Sequence, residues 1–311
     1  MIEFQPIRIE DRPLYEKYLS DGTERGCEYS FANLFLWGQQ YAAIVHDHMV
    51  LLSTFMPEPA TEEMVFGNAS LYPYPIGKGD KKPVIDAIMA DAKERGIPLR
   101  ITGMCEESGR GLKELYPGQF IFSGSQDNDD YVYAIDDLAD LSGRKYHRKK
   151  NHYNRFKKNY PDYRVEPFTD ENIEKVREMA LEWFRERKAE NPDMDFRLEK
   201  NAFLKALEHY KELDLESMVL FVGNQPVGVT MASRISENTF DVHFEKARPE
   251  MDGAYTAINC EFAKYIRDKY PAIQYLNREE DMGLEGLRKA KESYYPHHMV
   301  QKCRAKWIGK V

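Results

Sequence analysis

The sequence predicts an α+β protein with two domains, each a mixed, mainly antiparallel sheet flanked by helices. Its 311 residues exceed one typical core and suit two domains of about 150 residues. The second half shows a clear order of elements: two helices, a meander of three strands, then helix, strand, helix and strand. The net charge also changes along the chain, from −12 over residues 1–143 (12 Lys and Arg, 24 Asp and Glu) to +4 over 144–311 (32 and 28). These three observations favour two units in tandem.

The first half begins with helices and continues as a sheet. Periodicity and turn residues predict helices over 11–20 and 30–40, strands over Tyr41–Val45 and Met49–Phe55, a helix over Lys81–Arg95, and strands over Leu99–Thr102 and Tyr131–Ile135. The polar residues His46–His48 predict the turn between the first two strands. Gly109-Arg-Gly-Leu-Lys lacks the strand and the Gly-Lys-Ser ending of a phosphate loop, so we interpret it as a turn.

The second half follows an acidic stretch, Asp127–Asp140, and opens with a basic segment, Gly143–Arg164. We therefore expect domains of residues 1–142 and 143–311, the second opened by a basic helix over 143–164. The further predicted elements are helices over Asp170–Lys188 and Asn201–Tyr210, strands over Ser217–Val222, Val227–Ile235 and Thr239–Glu245, a helix over Ala254–Lys269, a strand over Ile273–Leu276, a helix over Leu284–Glu292 and a tail strand over Met299–Trp307.

The composition excludes several classes of protein. A charged fraction of 31% with a net charge of −8 argues against a generally nucleic-acid-coated protein, so any such contact is local. Four cysteines stand far apart without a C-x-x-C pair, and the N-terminus resembles no signal peptide, so we expect a reduced, cytoplasmic protein. No apolar run approaches the roughly 18 residues of a membrane-spanning helix.

The basic segment is the strongest local signal for a partner. It carries nine Lys or Arg and two His against one acid, Asp162, and its aromatic residues fall on one face of a helix: Tyr146, Tyr153, Phe156 and Tyr160. This pattern predicts a helix attached to its domain by aromatics, with cations facing an anionic partner. A solvated amphipathic helix with ordinary surface lysines explains the same pattern, because charged helix faces are common.

The third strand of the meander carries the most chemistry. Strict alternation places Phe240, Val242 and Phe244 on one face, and the titratable residues on the other: Asp241, His243 and Glu245. Acyl transfer needs a base that removes a proton from the nucleophile, and His243 or Glu245 are our candidates. Ion pairing alone also gathers such residues.

An anion site is expected where the next helix begins. Arg248 precedes a turn that leads into a helix N-terminus, where unpaired amides and the helix dipole favour a negative group. The residues of this predicted site are Arg248, Gly253, Ala254, Tyr255 and Thr256. An ordinary N-cap formed by Asp252 is the alternative.

Metal binding and hydrolase chemistry are not expected. Glu279, Glu280 and Asp281 are consecutive and point in different directions, and the pairs His46/His48 and His297/His298 lack further ligands at zinc spacing. No G-x-S-x-G motif occurs. We therefore predict no metal site and no tightly bound cofactor.

Three segments carry a family resemblance: GRKYHRKKNHYNRFKK from Gly143, EKARPEMDGAYTAIN from Glu245 and YLNREEDMGLEGLRKAKESYYP from Tyr275. They resemble the soluble family related to the C-terminal domain of phosphatidylglycerol lysyltransferase, which is similar to the Fem-type peptidyltransferases. The resemblance covers almost the whole chain. It implies two tandem GNAT-like acyltransferase domains, with aminoacyl-tRNA as the acyl donor.

The resemblance also suggests roles for single residues. It implies a general acid at Tyr294, with Tyr295 as an equally placed alternative, and a donor-phosphate site that extends to Asn277 and Arg278. The donor RNA would contact the basic helix through Lys149, Lys150, Arg155 and Lys157. The acceptor would be an amine or hydroxyl of a small molecule, a peptide or a lipid headgroup. Two alternatives remain: an acetyl-CoA-dependent N-acetyltransferase, for which the single glycine is a poor match, and a non-catalytic module that binds RNA or an acidic partner.

Overall fold

A computed structural model describes residues 1–22, 25–38, 40–54 and 70–309. Its contacts divide the chain into two compact units, Met1–Asp129 with Val300–Val311, and Asp130–Met299. This division lies before the predicted boundary at residue 142, and the C-terminal strand belongs to the first unit. The difference arises because residues just before the basic segment form a strand of the second sheet. Among the described residues, no helix is long and apolar enough to cross a bilayer.

The helices are α1 Arg12–Asp21, α2 Phe31–Trp37, α3 Lys82–Arg95, α4 Glu106–Leu115, α5 Ile135–Asp140, α6 His147–Asn159, α7 Ile173–Glu190, α8 Arg197–His209, α9 Ala254–Lys269 and α10 Glu285–Glu292. The strands are β1 Gln5–Pro6, β2 Gln40–Val45, β3 His48–Thr54, β4 Ser70–Pro73, β5 Arg100–Met104, β6 Phe120–Gly124, β7 Asp130–Ala134, β8 Arg164–Glu166, β9 Glu216–Val222, β10 Gln225–Arg234, β11 Thr239–Ala247, β12 Tyr275–Asn277, β13 His298–Val300 and β14 Cys303–Trp307.

The first unit contains a seven-stranded sheet of order β1-β2-β3-β4-β5-β14-β6, antiparallel except between β4 and β5. His46 and Asp47, both with positive φ, form the tight turn that joins β2 to β3, as predicted. Phe55, the last residue of the predicted second strand, lies outside the described residues. Isoleucines and valines of α3 pack on this sheet in one core: Val84, Ile85 and Ile88, with Val50 and Ile101.

The interpretation of Gly109–Lys113 as a turn was wrong. These residues lie inside α4, and neither glycine has a positive φ. Gly109 allows close packing, because a Cβ at this position would lie 2.9 Å from the Cys303 sulfur on β14. Gly109 therefore permits a close contact between a helix and a strand, which a glycine in the sequence alone does not distinguish from a turn.

The second unit contains a seven-stranded sheet of order β13-β7-β12-β11-β10-β9-β8. The meander β9-β10-β11 is antiparallel, and β12 runs parallel to β11 only over Tyr275–Asn277. Only the first three residues of β11, Thr239–Asp241, pair with β12. The rest of β11, as far as Ala247, has no neighbouring strand on that side among the described residues. The site described below lies beside this unpaired part of β11.

A bulge in β11 decides which side chains meet. Met231 of β10 pairs with Phe244 and Ala232 pairs with Val242, so His243 has no opposite residue. Val242 and Ala247 pack in the core that includes α9, whereas the Phe244 ring contacts Phe203 of α8. The predicted common face for Asp241, His243 and Glu245 was therefore wrong, because the extra residue reverses the alternation after position 243. Glu245 faces α9, and Asp241 and His243 lie on the face that carries α8.

Helix α6 has the predicted aromatic stripe. Tyr146, Tyr153 and Phe156 are buried in the core of the second unit, and Tyr160 packs against it. The α-helix is shorter than the basic segment, since Arg144–Tyr146 form a 3₁₀ turn and Arg164 begins β8. The aromatics fix the orientation of this helix, which leaves most of its cations exposed.

Candidate functional site

Glu245 is the centre of a polar cluster on the α9 face of the second sheet. One carboxylate oxygen accepts a hydrogen bond of 2.9 Å from Asn259 Nδ2 on α9, and the other pairs at 2.9 Å with Arg278 Nη2, just after β12. The Glu245 side chain is only 9% exposed. Both of its oxygens are thus engaged, which suits a residue that positions Arg278 more than one that accepts a proton.

The Arg278 guanidinium is held by Glu245 and two aromatic rings, and its Nη1 remains available as a hydrogen-bond donor. Its guanidinium lies 5.1 Å from the Tyr294 ring centre and 5.5 Å from that of Tyr133. Burial, the largest effect, lowers the Arg278 pKa, but Glu245, Tyr133 and Tyr294 together outweigh it. The net pKa is therefore raised and the cation persists. Nη1 is buried, and no described residue forms a hydrogen bond with it. A fixed guanidinium nitrogen of this kind is suited to an oxygen of a ligand.

Two further buried polar atoms near Glu245 have no hydrogen-bond partner in the part of the chain that the structure describes. Thr230 pairs with Glu245 across β10 and β11, so their side chains share a face, and Thr230 Oγ1 is buried without a partner. Asn259 Oδ1, the acceptor of the amide that holds Glu245, is also unpartnered. Buried polar atoms normally have partners, so three such atoms beside one carboxylate form a candidate site for ordered water or a polar ligand. We call Thr230, Glu245, Asn259, Arg278, Tyr294 and Lys149 the α9-face cluster.

Lys149 turns inward from α6 and joins this cluster. Its Nζ lies 3.8 Å from the centre of the Tyr294 ring. Burial, followed by the charges of Arg278 and Arg148, lowers the Lys149 pKa to about 8, with Glu245 opposing the shift. Burial raises the Tyr294 pKa to about 12, against the effect of Arg278, so this hydroxyl stays protonated near neutral pH. The structure thus brings together an amine poised near physiological pH and a buried phenol.

The start of α9 is covered by α6. Gly253 is the N-cap, with φ of 86°, and a Cβ there would collide with the His152 carbonyl oxygen and lie 3.0 Å from Phe156 Cβ. Asp252 makes no cap; its carboxylate pairs with Arg155 at 2.8 Å and lies 3.4 Å from His152 Nδ1. The glycine therefore serves the contact between α6 and α9, which sequence could not distinguish from an anion site.

Other residues of the predicted anion site have separate partners. Ala254 and Thr256 are buried, and the Thr256 side chain bonds to Tyr294. Tyr255 accepts a hydrogen bond from Trp183 Nε1. Arg248 pairs with Glu182 at 2.6 Å and with Glu250 at 3.6 Å, and neither acid belongs to the α9-face cluster. Asn277 is buried, donates to Asp130 Oδ2 and accepts from the Glu279 amide, so it shapes the turn after β12.

The cations of α6 divide into engaged and exposed groups. Lys150 donates to the Asp140 carbonyl oxygen, Arg155 pairs with Asp252, and Lys157 lies over the Tyr153 ring. Within the described part of the chain, no ion pair is found for three exposed cations of this segment: Arg144, Arg148 and Lys158. Their charges are therefore more available to a partner than those of the four predicted residues, Lys149, Lys150, Arg155 and Lys157, which contact other groups of the protein.

A second polar group lies on the α8 face. His243 Nδ1 is 3.5 Å from both Asp241 Oδ2 and Glu279 Oε1, while Nε2 is 2.7 Å from Ser233 Oγ. The side chains of Asp241 and His243 are fully buried. Burial raises the Glu279 pKa, and the neighbouring His243 opposes the shift. We call Ser233, Asp241, His243 and Glu279 the α8-face cluster.

The structure therefore separates the predicted catalytic residues. Glu245 and Tyr294 lie in the α9-face cluster with Arg278 and Lys149, and His243 lies in the α8-face cluster. Sequence reasoning missed Thr230, Asn259, Tyr133 and Glu279 as site residues. The family resemblance could have indicated Asn259, because it is the last residue of the EKARPEMDGAYTAIN segment. Its hydrogen bond to Glu245, however, depends on the bulge in β11.

Comparisons with known proteins agree with the fold. A conserved protein of unknown function from Bacteroides thetaiotaomicron VPI-5482 is 34% identical, with a TM-score of 0.88 over 99% of this chain and 100% of that one. The L-PGS structure from Bacillus licheniformis is 14% identical, with a TM-score of 0.66 over 97% and 93%, and FemX is 10% identical, with 0.61 over 99% and 98%. At such identities the last two show the fold alone.

The predicted tandem GNAT-like α+β fold is thus confirmed. No curated protein sequence matches the chain. A family model described as phosphatidylglycerol lysyltransferase, C-terminal, matches residues 21–306. The chain therefore belongs to the family of phosphatidylglycerol lysyltransferase C-terminal domains.

Proposed function

We propose that the second unit is an acyltransferase that moves an aminoacyl group from aminoacyl-tRNA to an amine or hydroxyl acceptor. The observation that carries this proposal is the set of buried orphan atoms around Glu245: one donor, Arg278 Nη1, and two acceptors, Asn259 Oδ1 and Thr230 Oγ1. A ligand that satisfies all three must both accept and donate hydrogen bonds. Family membership supports the same class of reaction.

The orphan atoms favour an aminoacyl over an acetyl donor. An acetyl group can form a hydrogen bond only through its carbonyl oxygen, which would accept from Arg278 Nη1. Asn259 Oδ1 and Thr230 Oγ1 would receive no hydrogen bond from it. An aminoacyl group adds an α-ammonium, whose hydrogens can reach Asn259 Oδ1 and Thr230 Oγ1 near the Glu245 negative charge. A substrate analogue that leaves buried polar groups of the site without hydrogen bonds binds much more weakly than the substrate itself. An acetyl group would leave two such groups unsatisfied, so acetyl-CoA should be a poor substrate.

The cluster supplies each role that ester aminolysis or alcoholysis requires. Arg278 Nη1 holds the carbonyl oxygen and stabilises the negative charge that develops on it. Lys149, as the neutral amine, takes the proton of the acceptor while the nucleophile bonds to the carbonyl carbon. The bond to the tRNA ribose oxygen then breaks, and Tyr294 gives that oxygen its proton. Lys149, beside the Tyr294 ring, returns a proton to the phenolate.

The base role goes to Lys149 for two reasons. Glu245 already uses both carboxylate oxygens on Asn259 and Arg278. His243 lies on the opposite face of the sheet, because of the bulge. Glu245 acts in this proposal as a positioning residue that fixes Arg278.

The outer face of α6 is suited to the RNA backbone of the donor. Arg144, Arg148 and Lys158 are exposed, and Lys150, Arg155 and Lys157 lie on the same helix or beside it. Cations that neutralise phosphates release counterions, so binding should weaken steeply with salt. The family description suggests a phosphatidylglycerol hydroxyl among the acceptors.

A transfer assay tests the proposal. Purified protein is incubated with a panel of tRNAs carrying radiolabelled amino acids, together with amines, peptides and phosphatidylglycerol vesicles, and labelled product is separated from free amino acid. We expect transfer with at least one pair and no transfer by Arg278→Ala. Thermal shift with CoA runs in parallel, since a ligand that binds only the folded state raises the melting temperature.

The alternatives give different results. A melting-temperature rise with CoA and acetylation of an amine, without aminoacyl transfer, would replace the proposal by an acetyltransferase. Salt-sensitive RNA binding without transfer to any acceptor would indicate a binding module. Product formation that Arg278→Ala leaves unchanged would place the reaction outside the α9-face cluster.

A further inference from the structure

We propose that Asp241, His243 and Glu279 of the α8-face cluster bind one divalent transition-metal ion. This site is independent of the proposed acyl transfer. One ligand atom from each of the three residues lies within 4.8 Å of the other two. The residues come from strand β11 and from the turn after β12, so a bound ion would join the bulge to that turn.

The orientation of His243 points to a ligand between the carboxylates. Its side chain is fully buried, and Nδ1 lies 3.5 Å from an oxygen of each acid. Among the described residues, no atom forms a hydrogen bond of standard geometry with Nδ1. Ser233 Oγ, 2.7 Å from Nε2, can accept a hydrogen bond from a protonated Nε2. That hydrogen bond would leave the Nδ1 lone pair directed at the two acids, the arrangement by which an outer partner fixes a metal-binding imidazole.

The distances agree with coordination. Ligands bound at about 2.1 Å in a tetrahedron lie about 3.4 Å apart, close to the observed separation of Nδ1 from each carboxylate. The Glu279 side chain is 17% exposed, so an ion can enter from its side and a water can complete the coordination. Two carboxylates with one imidazole suit Zn²⁺ or Mn²⁺, whereas Mg²⁺ and Ca²⁺ prefer oxygen ligands alone.

Metal titration of the whole protein tests this inference. The protein is dialysed against a chelator, freed of it, and titrated separately with Zn²⁺, Mn²⁺ and Mg²⁺, with bound metal measured by mass spectrometry after gel filtration. We expect about one Zn²⁺ or Mn²⁺ per chain and a rise in melting temperature on addition of that ion. Glu279→Gln keeps the shape of the side chain, and we expect it to abolish both effects.

Two further variants refine the test. Ser233→Ala removes the outer hydrogen bond and should weaken metal affinity about 10- to 100-fold. His297→Ala is the matched control, because His297 is exposed and adjacent to another histidine; it should retain the uptake. Absence of uptake by the wild-type protein overturns the proposal. Uptake that survives Glu279→Gln, or that His297→Ala removes, overturns it equally.

Discussion

The two faces of the second sheet each carry a lysine with a lowered pKa, and the two lysines differ in their contacts. On the α8 face, Lys246 Nζ pairs with Glu199 at 2.6 Å and lies 3.7 Å from the Trp183 ring centre. On the α9 face, Lys149 lies over the Tyr294 ring, and no ion pair is found for it in the described ranges. Burial lowers the pKa of both lysines, but only Lys246 has a carboxylate that opposes the shift by direct contact.

This difference separates a structural cation from one suited to chemistry. Lys246 is held by direct contact with an acid and an aromatic ring, which favour its charged form against the effect of burial. Lys149 instead stands beside Arg278, with its pKa moved to about 8. Perturbed groups of this kind concentrate at functional sites.

The largest effect is expected from Lys149→Met. If the neutral amine is the base, its loss should lower the transfer rate about 10²- to 10⁴-fold. The wild-type rate should rise with pH through about 8, since only the deprotonated amine acts, and this limb should vanish in the variant. Rates measured from pH 6 to 9.5 test both points.

Lys246→Met is the matched control for Lys149. It removes a buried lysine from the opposite face, so it should lower the melting temperature and leave the rate per folded molecule, with its pH limb, unchanged. A pH limb that persists in Lys149→Met would assign the base to another group.

Arg278→Lys should have the next largest effect. Lysine keeps the charge but cannot hold Glu245 with one nitrogen while it presents a second to the carbonyl oxygen. Loss of one such donor costs about 10²- to 10³-fold in rate. The assay is single-turnover transfer, with Arg234→Lys as control, because Arg234 also lies over aromatic rings, those of Phe240 and Tyr270. Equal rates for wild type and Arg278→Lys would show that charge alone suffices.

Gly253→Ala should destabilise the protein without touching either cluster directly. The residue has a positive φ, and the added Cβ meets the α6 backbone, so we expect a loss of about 1–3 kcal/mol in the free energy of unfolding. Gly286→Ala is the control within α10, where a Cβ meets open space, and should stabilise by about 0.5–1 kcal/mol. Urea unfolding measures both. A neutral Gly253→Ala would mean that α6 does not pack against α9 as described.

The sequence predicted the elements of the second unit well, because its helices and meander have regular periodicity. The aromatic stripe of α6 is confirmed for the same reason. The faces of β11 were wrong because a bulge depends on pairing with β10, and pairing is a tertiary property. Arg278 and Tyr294 could be placed in one region through the family resemblance. Asn259, Thr230 and the pairing of Arg248 with Glu182 needed coordinates, since these contacts join distant parts of the chain.

The smallest effect is expected on the outer surface of α6. Arg148→Ala removes one exposed cation, so the slope of log K against log salt for tRNA binding should decrease in magnitude by about 0.7–0.9. Lys113→Ala, an exposed lysine on α4 of the first unit, is the control and should leave the slope unchanged. Fluorescence anisotropy with labelled tRNA at several salt concentrations measures it. Equal decreases for both variants would show that the RNA responds to overall charge, in which case α6 has no special role in binding it.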